Sequence, residues 1–305
     1  MSSFLRLTLL SVAVLAPLTA CDQTGDLTSG TEAQLIENAR VARTTGDYTT
    51  AIEVLDAAFE AYPESAPVRA EYAMTLFERD DINLIDLDRL ATFLADAGST
   101  LPVAPTPSPT MSVGASTCTY ASDPTATPFD PTTYAGFPQL DASREVIAQT
   151  LALLDPVIPD AIQHFTICTT IADGPDGPVL NYVPADALAE MRAMGLSDDQ
   201  IASALATNAL ARFLNAYLTV TTALTQETTW YRTDGGSGIG VCADDPDQLQ
   251  AEAEASIEDL GEAVVSLDLR GVALGNPSLT QELVDLMLEG YTEIRDGIGT
   301  YCTTD

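Results

Sequence analysis

The chain contains no lysine, so all 12 of its basic residues are arginine, against 45 acidic residues and a formal net charge of −33. A field of that sign repels phosphate backbones and anionic lipid headgroups, which excludes nucleic acid and direct headgroup binding as partners. Histidine occurs once, at His164, so no Cys/His zinc set can form. His164 stands between Ile162 and Phe165 on an apolar segment and reads as structural. No cysteine pair has CxxC spacing, which argues against metal or redox chemistry. No convincing period-two alternation marks a strand. Long apolar runs are scarce too: the run Leu7–Leu18 is shorter than the ~20 residues a bilayer-spanning helix needs. A longer apolar stretch opens at Asp198, but Asn208, Arg212 and Asn215 interrupt it, so it reads as the buried central helix of a bundle.

What is present begins with Arg6, the short apolar run and Leu18-Thr19-Ala20-Cys21, the order of an export signal. Leu-Thr-Ala-Cys resembles the lipobox of bacterial lipoproteins. The resemblance implies that residues 1–20 are removed, that Cys21 becomes the acylated first residue, and that its acyl chains hold the protein on a membrane of the cell envelope. Two or three chains suffice, at about 0.8 kcal/mol per buried methylene. Asp22 follows, which in enteric lipoproteins goes with inner-membrane retention; which membrane applies here stays open. Residues 21–30 are polar and rich in Thr, Ser and Gly, a tether. The acidic excess without lysine resembles proteins of salt-loving bacteria, where high salt screens the mutual repulsion of carboxylates (the Debye length is about 3 Å at 1 M). Cys118, Cys168, Cys242 and Cys302 remain, an even number in an exported chain, and predict two disulfides with three connectivities open.

Residues 31–97 read as helices. Leu35, Ile36, Ala39 and Ala42 form one stripe, Gly46-Asp47 breaks it, and Tyr48 to Tyr62 resumes it with Ala51, Ile52, Leu55, Ala58 and Phe59. A third helix is predicted from Ala66 to Arg79 and a fourth after Asp86. Gly46, Tyr48, Ala51, Ile52, Leu55, Ala58 and Pro63 resemble the second half of a tetratricopeptide repeat: glycine for the interhelix turn, small Ala51 and Ala58 for close approach, Pro63 as a stop. A second unit from Ala66 is degenerate, with Asp80 and Ile82 where glycine and an aromatic are expected. The resemblance covers about a fifth of the chain and implies a protein-interaction surface, with its groove near Tyr48 and Tyr72. One repeat cannot bury its own face, so further helices or a partner must cover it.

Residues 98–140 carry eight prolines among Ser and Thr, which excludes helix and predicts a linker or long loop, pinned at Cys118. Residues 141–305 form a second helical block. Its expected parts are a helix from Asp141 through Leu154, a helical segment from Asp160 to Ile171, and a turn cluster at residues 173–178. Helices follow from Pro184 to Met194, from Asp198 to about Leu224 opened by the Ser197/Gln200 capping box, from Asp245-Pro246 to Leu267, and from Ser278 to about Gly297. The fold class is therefore all-α: tetratricopeptide-like hairpins packed on a helical bundle, with disulfide staples.

Trp230, Tyr231 and Arg232 make the densest aromatic-basic cluster. Such residues anchor binding elsewhere; covering the end of the bundle is the favoured reading. Gly238-Ile239-Gly240 lacks the strand–helix context of a dinucleotide site. Asp234, Asp244, Asp245 and Asp247 do not match EF-hand spacing, and capping explains them better than calcium. No catalytic residue, cofactor or metal centre is implied. The expected function is a non-enzymatic envelope lipoprotein that acts as an interaction scaffold for another envelope protein. The alternative is an accessory lipoprotein of a solute-uptake system that binds a small ligand.

Overall fold

The computed structural model describes residues 27–80, 127–129, 143–159, 162, 171–174, 177–180, 182–226, 228–233, 238–243, 245–277, 284–285 and 288. Outside them lie Cys21 and the signal segment, the helix expected after Asp86, most of the proline-rich stretch, His164, Cys118, Cys168, Cys302, Asp234 and Asp244. The described part is overwhelmingly helical, with seven helices. They are α1 (Glu32–Thr44), α2 (Tyr48–Ala61), α3 (Ala66–Arg79), α4 (Arg144–Leu154), α5 (Pro184–Ala193), α6 (Asp198–Gln226) and α7 (Pro246–Ala273).

Local chemistry fixes the helix ends. Thr31 opens α1 with a capping box: its hydroxyl accepts from Gln34 N–H, and Gln34 Oε1 accepts from Thr31 N–H at 2.9 Å. Asp47 caps α2 through Thr50 N–H and Ser65 caps α3 through Val68 N–H. The Ser197/Gln200 box opens α6, and Asp245 accepts from Gln248 N–H before Pro246 at the start of α7. Gly46 ends α1 in the left-handed region at φ 79°, with Asp47 N–H donating to Ala42 O and Gly46 N–H to Arg43 O. These are the two bonds of a Schellman motif, and glycine adopts the required φ without the strain a Cβ brings.

Packing then orders the helices. Leu35, Ile36 and Ala39 of α1 meet Val54, Leu55 and Ala58 of α2, together with Val68 of α3. On its other side α3 lays Leu76 and Phe77 against Val146, Ile147 and Leu151 of α4 and Leu210, Ala211, Leu214 and Leu218 of α6. Nearly every side of α3 is therefore buried, Glu71 and Thr75 included. At the opposite end of the bundle Ala66, Ala70 and Ala73 pack with Leu188 and Met191 of α5, Ile201 and Leu205 of α6, and Val265 and Leu269 of α7. Helices α6 and α7 share the most extensive contact of any pair. Buried Ala202, Ala204, Ala209, Ala211 and Ala216 leave no large side chain at those points of α6.

Two small antiparallel sheets depart from the expectation of no strands. On either side of the expected turn cluster, β2 (Ile171–Gly174) and β3 (Gly177–Leu180) pair antiparallel. Gly238-Ile239-Gly240 begins β5 (Gly238–Ala243), paired along its length with β4 (Thr228–Thr233). β1 (Thr127–Phe129) adds to the far side of β4, giving the order β1-β4-β5. Pro128 cannot donate to a ladder and sits on that edge strand, where the missing donor is tolerated. Helix α7 runs past the expected end at Leu267 to Ala273 because buried Leu269 continues its apolar stripe.

Candidate functional site

Three places hold the chemistry-bearing residues. In the α1–α2 hairpin, Ala51, Leu55 and Ala58 are fully buried at the helix contact, and Tyr48 is half-buried. Gly46 and Pro63 are exposed at the turn before α2 and just beyond its end. Tyr72 of α3 is partly buried against its neighbours. The Tyr72 ring meets Phe59 edge-on, with centroids 6.4 Å apart, and packs against the α3–α4–α6 cluster. Its hydroxyl donates to Asp56, and burial together with that bond pushes it up to about 12. The outer side of the hairpin stays in solvent, with Glu37 and Val41 of α1 and Glu53, Asp56 and Glu60 of α2 exposed.

Behind that hairpin lies an ion cluster that sequence reasoning missed. Glu71 is fully buried on α3. Its Oε2 accepts from Arg40 Nε at 2.8 Å, and its Oε1 lies 2.9 Å from Arg43 Nη2. Arg43 also reaches Glu78, so α1 is tied to α3 by two guanidinium groups. A signal existed in the sequence: the one acidic residue among Tyr72, Ala73, Leu76 and Phe77 faces two arginines spaced by three on α1.

The third place is a polar seam between α6 and α7, centred on Arg212. Its Nη1 donates to Asp259 Oδ1 at 3.0 Å and its Nη2 to Asp155 Oδ1 at 2.7 Å, just beyond α4. Its Nε stands 2.8 Å from Glu262 Oε2. Asn215 Nδ2 donates to Asp259 Oδ2 at 2.6 Å, and Asn208 Nδ2 donates to Ser266 Oγ at 2.9 Å. The pairs run in descending order along α7, so the two helices are antiparallel and in one register. Asn208, Arg212 and Asn215 marked α6 as the buried central helix of a bundle; their partners Asp259, Glu262 and Ser266 were missed. The matching spacing of three, four and seven residues on both helices was the available clue.

Burial raises the Asp259 carboxyl above its ordinary value despite Asn215 and Arg212. Nearby, the Tyr182 hydroxyl donates to Asp268, and burial raises its pKa strongly.

The remaining expected site residues are not brought together. Trp230, Tyr231 and Arg232 lie in β4, their Cα positions opposite Val241, Gly240 and Ile239. Cys242 lies in β5 opposite Thr229. Asp245 caps α7, as capping predicted. Among the described residues no group of His, Cys, Asp and Glu is arranged to hold a metal ion, and no helix is long and apolar enough to cross a membrane. No family model, curated protein or solved structure matches the chain.

Proposed function

We propose that this chain is a lipid-anchored, non-enzymatic scaffold of a bacterial cell envelope. In this reading acyl chains on Cys21 hold it to the membrane, and residues 21–30 let the helical body reach a partner. The tetratricopeptide-like α1–α2 hairpin presents its outer face to an envelope protein. The observation that carries the reading is the placement of that hairpin. One side is fixed to the bundle through α3, while Val41 of α1, 56% exposed, and Glu37, Glu53, Asp56 and Glu60 remain in solvent. An exposed helix-hairpin face of mixed apolar and charged side chains is of the composition that contact surfaces use.

The test has two readouts. Mass spectrometry of the mature protein is expected to find Cys21 at the N-terminus with fatty acyl groups, and Cys21→Ser to release the chain from the membrane fraction. A bare mature N-terminus would end the anchoring reading. Photo-crosslinkers at positions 41 and 53 are expected to trap one envelope protein that a crosslinker at a buried position such as 147 does not. A transport permease as the trapped partner would favour the solute-uptake alternative, and equal patterns from all positions would end the scaffold reading.

A further inference from the structure

The Arg212 seam sets three carboxylates around one guanidinium. Asp259 is hydrogen-bonded through both carboxylate oxygens. Asp155 accepts from Arg212 and has 48% of its side chain in solvent. Glu262 has neither advantage. Its side chain is 12% exposed, and its Oε2 lies close to Arg212 Nε but off the N–H direction, so neither atom is hydrogen-bonded. One turn along the same seam, Asn208 is 1% exposed, and its Oδ1 has no donor among the described residues. A single guanidinium faces three carboxylates, whereas at Glu71 two guanidinium groups face one fully buried carboxylate. An uncompensated buried charge is expensive, and the least costly relief is uptake of one proton by the carboxylate with the fewest donors.

We propose that the seam joining α4, α6 and α7 is a proton-binding site in which Glu262 carries an exchangeable proton whose loss loosens the α6–α7 contact. The groups facing Glu262 are Arg212 from α6, Asp155 beyond α4, and Asp259 and Glu258 on its own helix. Burial pushes the Glu262 carboxyl up to about 7; Arg212 opposes this, and Asp259, Asp155 and Glu258 add to it. The carboxyl's ordinary value is 4.5, so between the two values the folded chain holds a proton that the unfolded chain has released. Stability from this group is complete below 4.5 and declines as pH rises through about 7.

The experiment is equilibrium unfolding of the full mature chain in molar salt, from about pH 5 to about pH 8.5, for wild type and Glu262→Gln. The glutamine keeps the neutral shape at every pH. Wild type is expected to lose up to about tenfold in its folded-to-unfolded ratio per pH unit more than Glu262→Gln over the lower part of that range, since one proton separates them. Equal slopes would overturn the proposal. Should the variant not fold, carbon-13 titration of the wild-type Glu262 carboxyl decides: a midpoint near 7 is expected, and one at or below the ordinary value of 4.5 overturns it. Repeating the titration in sodium, potassium and magnesium salts at equal ionic strength is expected to leave the midpoint in place. A midpoint that follows the cation would make the ligand a metal ion and overturn the proton.

Discussion

A glutamate with no exposed surface holds α1 against α3. Glu71 would be prohibitively costly to bury alone, and it is buried because Arg40 and Arg43 come to it from one face of α1. The cluster adds less net stability than its Coulomb attraction suggests, since Glu71 leaves water entirely and Arg43 largely does. Removing one partner is a different matter. Glu71→Gln is expected to destabilise the fold by about 3 kcal/mol by leaving Arg40 without its carboxylate and Arg43 with Glu78 alone. Chemical denaturation at fixed molar salt measures it, and a change under about 1 kcal/mol would show that water already serves those groups. The pairings themselves were hard to read from the sequence, because the partners lie on other elements, 31 residues away for Arg40 and Glu71. What could be read was the oddity of each: a charge within an apolar stripe.

Among the helices, caps and stops were the most legible features, because they depend on neighbours a few residues apart. The Ser197/Gln200 box, the Asp245-Pro246 start and the Gly46 end all stand where their local chemistry puts them. At Gly46 an added Cβ would meet nothing within 4 Å. Gly46→Ala is therefore expected to cost only the backbone strain of a left-handed alanine, about 1–2 kcal/mol, with the hairpin packing unchanged. Thermal unfolding measures the loss, and a larger drop would mean that this turn touches something more. The strands were less legible. Thr228, Thr229, Trp230 and Tyr231 do have strand propensity, but both of β4's neighbours are needed to make it a strand. One of them, β1, lies about a hundred residues earlier in a stretch whose prolines suggest a linker.

Charge governs the molecule as a whole. At −33, mutual repulsion of surface carboxylates opposes the compact state unless salt screens it. Lowering salt from molar to millimolar is expected to unfold the chain, read as loss of helical ellipticity with recovery on salt addition. Full ellipticity in salt-free buffer would refute it. The effect should be strongest above neutral pH, where Glu262 adds its own charge to an already acidic seam.

The sequence by itself determined a mostly helical protein, the stripes that face its core, the turns between neighbouring helices and the acidic character of its surface. Each of these follows from residues close together in the chain or from composition alone. Tertiary structure decided that α3 is enclosed on nearly all sides, that the Tyr72 ring packs edge-on against Phe59, and that Arg212 is shared by three carboxylates. Those outcomes depend on which distant helices meet and in what register, and a buried charge finds its counter-ion only after that packing has been chosen.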